Sequence, residues 1–212
     1  MSIRVHMRIT RVNSGATSNL RKYLQQNHNQ LTWKQRIKII ENITTAVLRL
    51  HQENSIHRDL HSGNILYSEY NGLWRIIDFG FCGPADKPLG SIYGNLASDI
   101  YSIGMLMWEI SSGQPPFADF KHNYDLVMKI MNGVRPEIIP GTPLEYAYLM
   151  VQCWDADPLK RHDIVTLFDQ ILEIQKSYYK NENKEQNINF DNTQSNPKPN
   201  INLIDFTKRP TS

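Results

Sequence analysis

Cysteine is scarce: Cys82 and Cys153 are the only two in 212 residues, and such a pair implies no disulfide framework. A reducing compartment, the cytoplasm, is therefore expected. Long apolar runs are lacking too. None approaches the ~20 residues that span a bilayer, and the basic start MSIRVHMRIT leads into no continuous apolar segment of the kind that marks a secretory signal. No membrane partner is expected. Acids are few at the beginning, where residues 1–58 hold ten Lys or Arg against two acids, a balance of +8. The remainder carries −6, which leaves a net charge of +2. The early basic residues are scattered along predicted helices instead of forming a run with interleaved aromatics, so they read as solvated helix faces. No nucleic-acid partner is expected, and no internal repeat is present.

What is there suffices for one core, with hydrophobic residues at 40% of the chain. Residues 3–12 alternate like a short edge strand, and residues 14–18 are rich in breakers. A short helix is predicted from Asn19. Thr32 with Gln35 three residues on forms a capping box, and Ile37, Ile40, Thr44, Val47 and Leu48 then recur at three- and four-residue spacing. That helix fades near Glu53 and Asn54. The sequon Asn42-Ile43-Thr44 falls inside it and is discounted as a glycosylation site.

Ser98-Asp99 reads as an N-cap before residues 100–110, a run apolar on nearly every side that must be buried on nearly every side. Gly113 and the pair Pro115-Pro116 end it. A short helix is predicted over 124–131. Thr142-Pro143-Leu144-Glu145 combines an N-cap, Pro at the first helical position and a second capping box, and opens a helix to Trp154. Ile164, Leu167, Phe168, Ile171 and Leu172 give a last amphipathic helix. Residues 177–212 turn to Asn, Gln, Lys and Pro and are expected to form a disordered polar tail.

The chemistry concentrates between His57 and Gly80. Two apolar runs, 65–67 and 73–77, flank Asn71-Gly72, a dipeptide that tolerates the positive φ of a tight turn, and an antiparallel hairpin is predicted. Asn64 precedes the first strand and Asp78 follows the second, so pairing brings the two oxygen donors to one end. Asp59 lies five residues upstream of Asn64. A carboxylate, an amide oxygen and a second carboxylate are hard ligands that suit Mg²⁺ when phosphate oxygens complete its shell. Phosphoryl transfer asks for that: positioning, charge neutralisation, and a carboxylate to orient the attacking hydroxyl.

His57-Arg58-Asp59-Leu60 with Asn64 resembles the catalytic loop of the eukaryotic protein kinases, and Asp78-Phe79-Gly80 resembles the motif that follows it. The resemblance implies Asp59 as the catalytic base, flanked by Arg58 and His57. It implies Asn64 and Asp78 as ligands of Mg²⁺ and contacts of the nucleotide, with Leu66 as a further nucleotide contact. Phe79, Gly80, Asp99 and Arg161 become structural supports, Asp99 anchoring the catalytic loop from below. The cofactors would be Mg²⁺ and ATP. Gly113 to Phe117 is similar to the family's GxxPF segment, and Cys153-Trp154, Asp157-Pro158 and Arg161 are similar to its CW, DP and R signature.

The implied fold is mainly α (α+β), a kinase C-terminal lobe in which a helical bundle surrounds a buried central helix and a small β-hairpin carries the catalytic loop. Residues 19–176 would be that lobe and residues 1–18 a hinge-like segment. The look of His61-Ser62-Gly63-Asn64 is tyrosine-kinase-like or mixed. His61 stands where Ser/Thr kinases tend to carry Lys; it reads equally well as a phosphate donor when protonated and as an exposed polar residue.

Three family features are not found in these 212 residues: a Gly-rich phosphate loop, a V-A-I-K strand and an A-P-E stretch. Seventeen residues separate Gly80 from Ser98, and Arg161 is expected to lack the Glu that pairs with it in the family. Two readings follow. In one the chain is a partial protein-kinase catalytic domain, inactive alone, whose partners are ATP and a protein substrate. In the other it is a pseudokinase or half-kinase that binds a protein, a partner kinase among the candidates. The resemblance further implies that Arg58 can bind a phosphorylated residue of the segment after Gly80, where Ser91 and Tyr93 are the candidate phosphosites.

Overall fold

The structure is a computed structural model that describes residues 18–68, 70–84, 96–120 and 124–194, with Pro84 and residues 181–194 described in backbone only. The hinge-like segment up to residue 17, the candidate phosphosites Ser91 and Tyr93, and the end of the tail from residue 195 lie outside the described residues. The chain divides into two compact units, Met1–Lys176 and Ser177–Ser212. Six α-helices are described, α1 (Leu20–Asn27), α2 (Trp33–Gln52), α3 (Leu96–Ser112), α4 (Tyr124–Met131), α5 (Leu144–Cys153) and α6 (Ile164–Gln194), with three short 3-10 turns and four short strands. These are β1 (Ser55–Ile56), β2 (Ile65–Ser68), β3 (Leu73–Ile76) and β4 (Gly83–Pro84). The fold is the expected one, mainly helical with a small antiparallel hairpin. Among the described residues no helix is long and apolar enough to cross a membrane.

Local chemistry sets several of these boundaries. Asn19 caps α1 by accepting from the Lys22 amide, and Thr32 and Gln35 complete both halves of the capping box that opens α2. Ile37, Ile40, Thr44 and Val47 form the buried face of α2, with Leu48 half-buried. Asn42 is itself buried; its amide oxygen accepts from the Trp74 amide at 3.1 Å, which ties α2 to β3.

α3 is the central helix. Ile100, Ile103, Leu106, Met107 and Ile110 are each at most 1% exposed, and burial of side chains of this size contributes about 1.5–3 kcal/mol apiece. It packs against α2 and α5. Gly104 allows that approach: a Cβ there would lie 2.9 Å from Cys153 Cβ and 3.3 Å from the Met150 carbonyl.

Four expectations need correction. α3 begins at Leu96, so Ser98 and Asp99 sit in its first turn and do not cap it; the Asp99 carboxylate is turned to other amides, described below. α5 has no side-chain cap. Thr142 instead donates its hydroxyl to the Ile139 carbonyl at 2.7 Å, closing the preceding turn, and Pro143 takes the boundary position. The hairpin turn is wider than an Asn-Gly dipeptide: Ser68 pairs with Leu73, the Gly72 amide reaches back to the Ser68 carbonyl at 2.9 Å, and of Asn71 and Gly72 only Gly72 carries a positive φ, +65°. Finally, α6 continues to Gln194, through part of the segment expected to be disordered from residue 177. That run is rich in Asn but contains no Gly or Pro, the residues that break a helix most strongly, so the helix can continue through it.

Candidate active site

The site is assembled where α3, the loop after β1 and the β2–β3 hairpin meet. Asp99, 1% exposed, holds the loop by its backbone. One carboxylate oxygen accepts from the His57 amide at 2.8 Å and from His51 Nε2 at 3.0 Å, and the other accepts from the Arg58 amide at 3.0 Å. Arg58 has φ +70° and Asp78 φ +60°, a region that non-glycine residues rarely enter. Each costs on the order of 1–3 kcal/mol and persists only where surrounding bonds over-determine it, as the Asp99 contact does for Arg58.

His57 is fully buried and its ring bridges two parts of the site. Nε2 donates to the Ile77 carbonyl at 3.1 Å, which leaves Nδ1 to accept from the Asp59 amide at 3.3 Å. Phe79 packs edge-on against this ring, centroids 5.4 Å apart. The imidazole thus fixes the residue before Asp78 to the residue expected to act as base.

Asn64 and Asp59 are joined directly. Asn64 Nδ2 donates to the Asp59 carbonyl at 2.9 Å and to Asp59 Oδ2 at 3.1 Å. With the amide nitrogen committed, Oδ1 is the atom that Asn64 has left to offer a cation. The hairpin register Ile65↔Ile76 is extended by the Ile77 amide donating to the Asn64 carbonyl at 2.9 Å, so Asp78 follows immediately at the same end. Asp78 Oδ1 accepts from the Gly80 amide at 3.3 Å. Leu66, half-buried on β2, pairs with Asn19 in an isolated antiparallel bridge at the start of α1.

Among the described residues no three His, Cys, Asp or Glu converge as a metal site of their own. The donors on hand suit a cation that brings most of its shell with it: Mg²⁺ is commonly held by one or two protein oxygens, with phosphates and waters completing six. Asn64 Oδ1 and the Asp78 carboxylate fit that requirement.

His61 does not point away as a purely exposed residue. Nδ1 accepts from the Gly63 amide at 3.0 Å, and Nε2 stands 3.7 Å from Asp59 Oδ1. A Cβ on Gly63 would come within 2.8 Å of the His61 ring, so glycine lets the imidazole lie against the loop. Arg161 is not left without partners. Its guanidinium donates to the carbonyls of Asp155 and Ala97, both at 2.8 Å, and lies 5.0 Å from the centre of the Tyr101 ring. Burial lowers its pKa, with Tyr101 acting in the opposite sense. Arg58 lies against Gly83, where a Cβ would approach its guanidinium to 2.8 Å, and the β1–β4 pair Ile56↔Gly83 returns the chain after Gly80 beside the catalytic loop.

A second cluster, unrecognised in the sequence, adjoins the loop. Ser62 Oγ donates to Glu109 Oε1 at 2.7 Å, and Arg21 Nε donates to Ser62 Oγ at 3.2 Å while standing 3.5 Å from the same Glu109 oxygen. Glu109 is 3% exposed. Burial raises its pKa, against the opposing pull of Ser62 and Arg21, so desolvation outweighs the ion pair. The available signal was a lone carboxylate inside the apolar run of α3, since a buried acid requires partners.

Two family models match the chain in succession: protein kinase domain over residues 4–89, and protein tyrosine and serine/threonine kinase over residues 91–171. Among curated proteins, the dual specificity protein kinase zakA of Dictyostelium discoideum is 30% identical over 81% of this chain. A putative serine/threonine-protein kinase/receptor of Acanthamoeba polyphaga mimivirus, R826, is 33% identical over 76% of it. The human dual serine/threonine and tyrosine protein kinase is 29% identical over 77% of it. The chain spans 26%, 10% and 19% of those three proteins. With the catalytic-loop and Asp-Phe-Gly elements in place on a C-terminal-lobe fold, the chain belongs to the eukaryotic protein kinase family.

Proposed function

We propose that this chain supplies the catalytic floor of a protein kinase that transfers the γ-phosphoryl group of ATP to a Ser, Thr or Tyr hydroxyl of a protein. The observation that carries the reading is the bond from Asn64 Nδ2 to Asp59 Oδ2, 3.1 Å. It orients the Asp59 carboxylate while turning the Asn64 oxygen to a cation. Asp59 is then the group that positions the acceptor hydroxyl and takes its proton, because Oδ1 is not engaged by Asn64. Asn64 and Asp78 are the Mg²⁺ ligands. Bound Mg²⁺ and ATP would supply charge neutralisation and the phosphoryl group. Asp99 and His57 keep the loop in register, and Leu66 would contact the base of a bound nucleotide. Cytoplasmic action, and phosphorylation at Ser91 or Tyr93 read by Arg58, belong to the same proposal.

The second reading, a binding module, draws on apolar side chains left exposed on two helices, Tyr124, Val127 and Met131 on α4 and Leu144 and Tyr148 on α5. One experiment separates the two. Binding of ATP to the 212-residue chain is measured by calorimetry with and without Mg²⁺, for the natural sequence and for Asp78→Asn, alongside transfer to a generic protein substrate. Mg²⁺-dependent binding that Asp78→Asn abolishes supports the kinase reading. Transfer by the chain alone is expected to be undetectable, since these residues include neither a Gly-rich loop nor a V-A-I-K lysine. ATP binding that ignores both Mg²⁺ and the substitution would sink the proposal in favour of the binding module.

A further inference from the structure

We infer that Arg21 is a specificity-determining residue that selects protein substrates with an acidic side chain close to the acceptor hydroxyl. The inference rests on the kinase reading and names the substrate class for the same site. Ser62 lies three residues after Asp59, so at most ~11 Å of backbone separates them at 3.8 Å per Cα step. Arg21 Nε lies 3.2 Å from Ser62 Oγ. An extended peptide advances ~3.4 Å per residue, and a side chain two to four residues from a hydroxyl seated on Asp59 therefore passes within reach of this guanidinium.

The charges are layered. Glu109 lies beneath with its side chain 4% exposed, whereas the Arg21 side chain is 46% exposed. Only Nε of Arg21 is used in a hydrogen bond among the described residues, which leaves the two terminal nitrogens as a fork for a carboxylate. A peptide arriving from solvent meets the cation first. Were Arg21 absent, the same peptide would meet the Glu109 carboxylate behind Ser62, and the preferred charge would reverse. One residue on α1 thus decides the sign that the catalytic loop presents.

The test is fluorescence anisotropy with short fluorescein-labelled peptides. Each has one central acceptor hydroxyl and either glutamates or lysines two to four residues from it. These are titrated with the full 212-residue chain, with Mg²⁺-ATP binding measured on the same samples. The natural chain is expected to favour the glutamate peptide by roughly fivefold, as befits a partly exposed ion pair, and the preference should fade as salt is added. Arg21→Ala should turn the preference to the lysine peptide. Arg21→Gln, which keeps a donor to Ser62, should remove the glutamate preference if Arg21→Ala proves unfolded by circular dichroism. Glu109→Gln should strengthen the preference for glutamate. A glutamate-to-lysine ratio unmoved by the Arg21 variants, a lysine preference in the natural chain, or no binding of either peptide overturns the inference. If Mg²⁺-ATP still binds in those cases, the inference falls alone; if it does not, the kinase reading falls with it.

Discussion

The Asp99 carboxylate accepts from the amides of both His57 and Arg58, at 2.8 and 3.0 Å, and so holds two successive backbone amides of the loop after β1. His51 Nε2 adds a third donor at 3.0 Å. Asp99→Asn should therefore do more than remove a charge. An amide keeps one acceptor oxygen and turns an NH₂ group toward an N–H donor, leaving both unsatisfied in a buried place. The expected loss is about 2–4 kcal/mol in urea unfolding. His51→Ala deletes a single donor and should cost less. Equal losses would show that His51, not the backbone amides, carries the contact.

Glu109 gives a pH signature of known sign. Its pKa is raised from 4.5, chiefly by burial. Below 4.5 the group is protonated in both folded and unfolded chains. As pH rises the unfolded chain ionises first, so stability is progressively lost until the folded pKa has been passed. Gln does not titrate. The stability of Glu109→Gln relative to the natural chain should therefore improve from acid toward neutral pH, read from urea midpoints across that range. Movement in the opposite direction would mean that attraction to Arg21 outweighs desolvation.

Much of this site was legible where its causes are local. The capping box of Thr32 and Gln35 and the hairpin that brings Asn64 near Asp78 depend on residues close in the chain, and both were found as expected. Thr142 failed for a local reason as well: its hydroxyl had a nearer carbonyl to serve, that of Ile139. Contacts across the fold were another matter. Ser62 and Glu109 are 47 residues apart, and Arg21 and Ser62 are 41 apart. No spacing rule connects an exposed arginine on α1 with an acid buried in α3. Asp99 was singled out by resemblance; its position inside the helix, rather than ahead of it, had to come from the structure.

The two cysteines should differ sharply in reactivity. Cys153 is fully buried between α3 and α5, and burial pushes its thiol up to about 12. Cys82 is half-buried; burial raises its pKa too, with Asp99 adding to the shift and Arg58 opposing it. The thiolate is the reactive form. Under mildly alkaline native conditions iodoacetamide should modify Cys82 slowly and Cys153 not at all, and in denaturant it should modify both. Mass spectrometry of the alkylated chain counts the adducts. Rapid native labelling of Cys153 would show that the α3–α5 contact opens.

Gly113 ends α3 under two constraints that can be separated. Its φ is +75°, and a Cβ built there would fall 2.5 Å from His28 Cγ and 2.9 Å from His28 Cβ. The His28 ring cannot simply swing away, because Nε2 is bonded to the Ser111 carbonyl at 2.9 Å. The backbone conformation alone disfavours Ala by about 1 kcal/mol, and forcing a methyl group into a packed site adds about 1–3 kcal/mol. Gly113→Ala is thus expected to lose about 2–4 kcal/mol in urea unfolding. His28→Ala should lose about 1 kcal/mol, mainly its hydrogen bond. The double variant removes the collision but keeps the left-handed backbone, so its loss should fall short of the sum of the two singles by about 1 kcal/mol or more. A strictly additive cycle would assign the whole effect to the backbone and none to the approach of α1 to the end of α3.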